Sequence, residues 1–147
     1  MVSTIEIMLS HIKLLSRHLD CYNLRGAIIV VLMELKIPTN SIGYEFLKRA
    51  IYLQYQNPIR SLSKDIYKEI ADECGLSSEY VIEQAIREAI KSAWRQGSKT
   101  AWDWYFAYDG QSISRRPTNS AFISKIAYTL ELWQEQRKAR GDRDERE

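Results

Sequence analysis

Charged and amide side chains recur at helical spacing between residues 78 and 95, on a segment that can present them on one surface. Arginine, glutamine and glutamate can hydrogen-bond to base edges in the major groove of DNA, which admits one α-helix. Lysine and arginine can hold the phosphates on either side. The candidate base-reading residues are Glu83, Gln84, Arg87 and Glu88. The candidate phosphate-binding residues are Lys64, Lys68, Lys91, Arg95, Arg115 and Arg116.

Two predicted helices joined by a short turn position most of these side chains. The first helix begins near residue 63, and its apolar face is made by Ile66, Tyr67, Ile70 and Ala71. Gly75 ends it, because glycine tolerates the left-handed backbone that closes a helix. Ser77 or Ser78 can then cap the second helix, which runs to about residue 95. Two helices joined in this way are typical of the helix-turn-helix that reads DNA.

The second helix of this pair has two neighbouring apolar rows. One row is Val81, Ala85, Ala89 and Ala93, and the other is Ile82, Ile86, Ile90 and Trp94. The small alanines favour close packing against another helix. An amphipathic helical hairpin whose charged face is merely solvated would have the same pattern. The pattern alone therefore leaves DNA reading and an ordinary all-α hairpin both open.

The charge of the chain is nearly balanced, with 21 basic and 19 acidic side chains. DNA-binding domains usually have a basic surface, because the release of condensed counterions supplies most of their non-specific affinity. The second motif helix is formally neutral, so any basic surface must be local. Its candidate cations are Arg60, Lys64, Lys68, Lys99, Arg115 and Arg116. If they surround the helix they favour DNA as the ligand, and if they scatter they favour a protein partner.

Three segments carry a resemblance to a known family, in the order and spacing of that family. They read LMELKIPTNSIGYEFLKRAI, IYKEIADECGLSSEYVIEQAIREAIKSAW and RRPTNSAFISKIAYTLEL. From about Leu24 to Trp133 the chain resembles the C-terminal effector domain of the sporulation response regulator, stage-zero sporulation protein A. The strings PTNSxFI and AIRxAIxxAW are more specific than a general helix-turn-helix pattern. The resemblance implies an all-helical domain that binds a short promoter element, often as a tandem pair, and contacts RNA polymerase.

Two departures from the family pattern change what the resemblance implies. The family's full-length regulators carry an N-terminal phosphoacceptor domain, for which the residues ahead of the matching segment are too few. We therefore expect no phosphoacceptor control within this chain. On the second motif helix Glu83 and Arg87 match the family, whereas Gln84 and Glu88 stand where the family has arginine and histidine. The loss of two cationic groups lowers phosphate attraction and changes which base edges are favoured.

The length and composition indicate one hydrophobic core, since 45% of the 147 residues are hydrophobic. We expect an all-α, compact bundle of about six to seven helices that contains the helix-turn-helix. Three parts are expected along the chain. Residues 1–21 form an extra N-terminal amphipathic helix, residues 22–134 form the regulator-like domain, and residues 135–147 form a charged tail. The tail is expected to be disordered beyond about Arg140, because it has almost no apolar groups to bury.

The remaining helices follow from apolar spacing and capping residues. One helix is predicted from Leu24 to Lys36, a second from a cap at Asn40 or Ser41 to Tyr55, and a last one after Pro117. Between them lies an aromatic segment that contains Trp102, Trp104, Tyr105, Phe106 and Tyr108. Such a cluster could stack exposed bases, but we favour a core position. The N-terminal helix is expected to pack on its own domain or, alternatively, to form a homodimer.

Other function classes find little support in the residues. No catalytic motif is recognisable, so we expect neither an enzyme nor a cofactor. Cys21 and Cys74 lack zinc spacing and are interpreted as reduced thiols, and His11 and His18 have no third metal ligand. The longest apolar run, residues 27–33, is too short for a membrane span, and no signal peptide is evident. A cytoplasmic protein is predicted. Its partner is double-stranded DNA or, alternatively, another regulator or a polymerase subunit bound without DNA.

Overall fold

The computed structural model describes residues 17–107 and 113–141, and these form a helical bundle without strands. The helices are α1 (Leu24–Glu34), α2 (Ile42–Gln56), a π-helical turn (Leu62–Ile66), α3 (Tyr67–Glu73), α4 (Glu79–Gln96), α5 (Lys99–Phe106) and α6 (Asn119–Ala139). The all-α prediction is confirmed. Most of the expected N-terminal helix, His11, Tyr108 and the end of the tail lie outside the described residues.

Helix α1 begins at the predicted Leu24, and α2 is capped by Ser41, one of its two predicted caps. The side chain of Asn23 accepts a hydrogen bond from the amide of Gly26, and Ser41 accepts one from the amide of Tyr44 at 3.2 Å. Helix α1 ends at Glu34, two residues before the predicted end. Lys36 there adopts a left-handed backbone with φ of 67°. This conformation, which non-glycine residues rarely adopt, turns the chain towards α2.

The helix-turn-helix differs from its prediction at the start and matches it at the turn. The first helix opens as a π-helical turn, capped by the Ser61 hydroxyl, before α3 begins at Tyr67. Gly75 has a φ of +68°, as the turn requires. The amide of Leu76 donates to the carbonyl of Ala71 at 2.8 Å, which closes the end of α3. Ser78 is the cap of α4, since its hydroxyl accepts from the amide of Tyr80 at 3.1 Å.

Helix α2 lies at the centre of the bundle and packs against both α4 and α6. Its contact with α4 is unusually close at Gly43. A Cβ atom at this position would lie 2.3 Å from the carbonyl oxygen of Ala85 and 2.8 Å from the Cβ of Ala89. The prediction that the small residues of α4 allow close packing is thereby confirmed. The contact with α2 fixes the orientation of α4 in the bundle.

The aromatic segment mostly fills the core, as predicted. Trp102, Tyr105 and Phe106 of α5 are buried, while Trp104 is half-buried. The ring centroids of Trp102 and Phe106 are 5.4 Å apart, and those of Trp102 and Phe122 are 5.8 Å apart. These rings join α5 to the start of α6. They are unavailable for stacking on exposed bases.

The last helix continues past the expected end of the domain at residue 134. Arg137, which the sequence analysis placed in a charged tail, is buried. Its Nη1 donates to the carbonyl of Tyr22 at 3.0 Å, and its guanidinium lies 4.8 Å from the ring centroid of Trp133. The expectation that residue 137 belongs to a solvated tail is wrong. The methylene groups of an arginine can cover apolar surface while its guanidinium donates to a carbonyl oxygen.

Residues 17–22 pack on the same bundle. Leu19 is fully buried, and Asp20 accepts hydrogen bonds from Trp133 Nε1 at 3.2 Å and from Arg140 at 2.9 Å. His18 is hydrogen-bonded to Glu34 at 2.9 Å. Among the residues that can be described, no group of side chains could hold a metal ion, and no helix is long and apolar enough to cross a membrane.

Candidate nucleic-acid interface

Helix α4 buries one face and leaves the opposite face accessible. Its buried residues are Ile82, Ile86, Ala89, Ile90 and Ala93. Because an α-helix turns by about 100° per residue, the opposite face has Gln84 at its centre. Tyr80 precedes Gln84 by one turn, and Lys91 and Arg95 follow along the same line. Tyr80 and Arg95 are exposed on this side, while Gln84 and Lys91 are half-buried. We call this side the outer face of α4.

The apolar rows predicted for α4 are partly wrong. Val81 is 47% exposed, and Ala85 and Trp94 are only half-buried. Val81 lies about 100° from Ile82, on the side away from Ile86 and Ile90. The helix therefore buries one stripe and part of a second, and its first turn presents an apolar side chain outward. The angle between neighbouring positions, read from the sequence, could have given this result.

The four candidate base-reading residues form two pairs along the helix. Arg87 Nη2 is paired with Glu83 Oε1, and Gln84 Nε2 donates to Glu88 Oε1 at 3.3 Å. Each pair is spaced by four residues, so its members lie one turn apart on the same side. Glu83 holds the Arg87 guanidinium in one orientation. The Gln84 amide keeps its carbonyl oxygen and one further N–H for another partner.

Asn119 ties the helix-turn-helix to the start of α6. Its Nδ2 donates to the carbonyl oxygen of Glu83 at 3.0 Å and to the hydroxyl of Tyr67 at 3.2 Å. Burial raises the pKa of Tyr67, against the opposite effect of the Asn119 hydrogen bond. One side chain thus fixes the position of α3 relative to α4. Asn119 is the first residue of α6, and the cap of that helix is the preceding Thr118.

An open cleft of about 510 Å³ lies between α4 and the segment that leads into α6. Glu83 and Arg87 line it from the helix, and Arg116 lines it from the segment. The structure therefore brings one candidate phosphate-binding residue to the side of the candidate base-reading residues. A cation here can hold a strand that crosses the cleft beside the helix.

The candidate cations fall into two groups, according to whether they form an ion pair. Within the described ranges, the six candidate phosphate-binding residues Lys64, Lys68, Lys91, Arg95, Arg115 and Arg116 form no ion pair. Arg60 and Lys99, by contrast, are paired with Glu69 and Asp103, each at 3.0 Å. The latter two cations are therefore partly neutralised. The positive charge that remains available lies on α4, on the preceding helix and in the segment before α6.

A protein-family model described as the C-terminal domain of the sporulation initiation factor Spo0A matches residues 28–130. The match covers well over half of the chain, and it includes the whole helix-turn-helix and the segment that carries Arg116 and Asn119. This family comprises DNA-binding regulatory domains and is not a family of enzymes. With its helical bundle and its accessible second motif helix, the chain belongs to the family of Spo0A C-terminal domains.

Proposed function

We propose that this protein is a transcription regulator that binds double-stranded DNA sequence-specifically and reads the major groove with α4. Family membership makes it a DNA-binding regulatory domain. The proposal adds which surface reads the duplex. The observation that carries it is the side of α4 turned away from its buried face, where Arg87 and Glu88 are exposed and Gln84 is half-buried, beside a cleft that Arg116 lines.

Each reading residue has a role that its chemistry favours. Arg87 suits guanine, since a guanidinium can bond to both O6 and N7, and Gln84 suits adenine through N6 and N7. Glu83 either orients Arg87 or accepts from the amino group of cytosine. Glu88 holds Gln84 and is itself a candidate acceptor for cytosine. These roles predict a site that contains both a G·C and an A·T pair.

The candidate phosphate-binding cations supply the affinity that does not depend on sequence. Arg116 and Arg115 approach from the segment before α6, while Lys91 and Arg95 extend along α4. Lys64 and Lys68 are exposed on the preceding helix. Each phosphate contact releases condensed counterions, so binding should weaken as salt rises. The proposed mechanism uses no phosphoacceptor within these 147 residues.

A second candidate function is a protein-binding module that keeps the fold and contacts another regulator or a polymerase subunit instead of DNA. The formal neutrality of α4 favours it, because Glu79, Glu83 and Glu88 offset the three basic residues of the helix. RNA polymerase and a second copy of the chain are proposed partners in addition to DNA. A duplex-binding assay separates the two functions directly.

The proposed division of roles is tested by comparing Arg87→Ala with Arg116→Ala. Binding sequences are first selected from a random duplex pool at two salt concentrations, and affinities are then measured on the selected duplex and its single-base-pair variants. Arg87→Ala should cost about 1 to 3 kcal/mol and relax the preference at one position. Arg116→Ala should weaken all duplexes alike and reduce the salt dependence by about one ion.

Arg25→Ala is the matched control, because it removes one exposed cation from α1 on another part of the bundle. It should leave both the preference and the affinity nearly unchanged. Equal losses on every sequence for Arg87→Ala and Arg116→Ala would contradict the division of roles. A folded protein that enriches no sequence at either salt concentration would favour the protein-binding module.

A further inference from the structure

Two large apolar side chains are exposed at the start of the outer face of α4. Tyr80 is 64% exposed and Val81 is 47% exposed. Neither contributes to the core, although they are neighbours in the first turn of a helix whose apolar residues otherwise face inward. Isolated apolar residues are common on surfaces, but two adjacent ones on a proposed reading face suggest an apolar contact.

The position of this pair is set by local structure. Ser78 caps α4 and holds the amide of Tyr80 at 3.1 Å, so the first turn is fixed relative to the rest of the helix. In a helix-turn-helix the N-terminal residues of the second helix contact the base edges. Tyr80 and Val81 therefore occupy the part of α4 that enters the groove, one turn before Gln84.

The spacing of these side chains matches neighbouring base pairs. Four residues of an α-helix span about 6 Å, and successive bases of one strand are about 3.4 Å apart. When Gln84 lies against one base pair, the first turn of α4 lies over a pair one or two steps away. Tyr80 and Val81 thus reach a base pair that Gln84 and Arg87 do not contact.

The major groove presents one apolar group, the C5-methyl of thymine, which apolar side chains recognise by contact. An exposed valine and the ring of a tyrosine have no hydrogen-bonding match for the other base edges, apart from the tyrosine hydroxyl. We propose that Tyr80 and Val81 recognise a thymine methyl group next to the base pairs read by Gln84 and Arg87. This inference rests on the proposed function and names two further specificity-determining residues.

The test replaces each thymine of the selected duplex, one at a time, by deoxyuridine, which removes only the methyl group. At one or two positions the wild-type protein should bind about fourfold more weakly, the loss expected for one methyl group removed from an apolar contact. One of the two variants, Val81→Ala or Tyr80→Ala, removes the side chain that contacts this methyl group. That variant should bind the duplexes with thymine and with deoxyuridine equally well. Tyr128→Ala, an exposed apolar residue of α6, is the control and should keep the full thymine dependence.

The possible outcomes separate this inference from the proposed function. If the protein selects a sequence but no deoxyuridine substitution weakens binding, the inference is overturned and the proposed function stands. If both variants still bind the thymine duplex more tightly than the deoxyuridine duplex, by the same factor as the wild-type protein, the pair does not read the methyl group. If no sequence is selected at all, both proposals fail together, and Tyr80 and Val81 become candidates for contact with a protein.

Discussion

Arg87 lies on the proposed reading surface with its guanidinium already paired to Glu83. This arrangement has a cost and a benefit. The carboxylate opposes phosphate binding, yet it limits the orientations of a long side chain before DNA arrives, which lowers the entropy lost on binding. Asn119 strengthens the effect, because it holds the carbonyl of Glu83 at 3.0 Å and so fixes the backbone beneath the pair. Glu83 is thus better placed to position Arg87 than to read a base by itself.

A double-mutant cycle on Glu83 and Arg87 tests this positioning role. Glu83→Gln should relax the preference at the same base pair as Arg87→Ala, with a smaller loss. The double variant should bind no more weakly than Arg87→Ala, because the role of Glu83 depends on the arginine. Losses that add, or a relaxed preference at a different base pair, would instead show that Glu83 contacts cytosine independently. The measurement is the affinity for the selected duplex and for its single-base-pair variants.

At the level of elements, the direction of α4 is set by its contact with α2. Gly43 allows the two helices to approach until there is no space for a side chain. The same contact turns the outer face of α4 away from α2. A larger residue at this position must move one helix away from the other, which would affect stability before it affects any DNA contact.

Gly43→Ala should therefore destabilise the fold, although alanine favours helix formation over glycine by about 1 kcal/mol. Overpacking of this kind typically costs about 1 to 3 kcal/mol, and the carbonyl oxygen of Ala85 cannot move without bending α4. Urea unfolding measures the change in the free energy of unfolding. Gln56→Ala, at an exposed position of the same helix, should change it little. An increase in stability for Gly43→Ala would contradict the close packing.

For the whole molecule, the sequence predicted the features that depend on neighbouring residues. The all-α class and the turn at Gly75 follow from local periodicity and backbone preferences, and each of the caps Ser41 and Ser78 is one of two neighbouring candidates that the sequence offered. The bridge made by Asn119 and the burial of Arg137 depend on residues far away along the chain, so no local pattern revealed them.

The candidate site shows the same division between local and distant information. Glu83, Gln84 and Arg87 could be placed on one helix face from their spacing alone. The position of Arg116 beside Arg87 required the path of the chain from α5 to α6. The π-helical turn at Leu62–Ile66 was also missed, since its apolar spacing differs little from that of an α-helix over so short a segment.

We propose above that the outer face of α4 lies in the major groove. The most direct measurement is methylation interference at guanine N7, an atom of the major groove, on the selected duplex. Methylation of one guanine should block binding of the wild-type protein, and Arg87→Ala should lose this sensitivity at the same guanine. Full binding to duplexes methylated at every guanine of the selected site would contradict the claim.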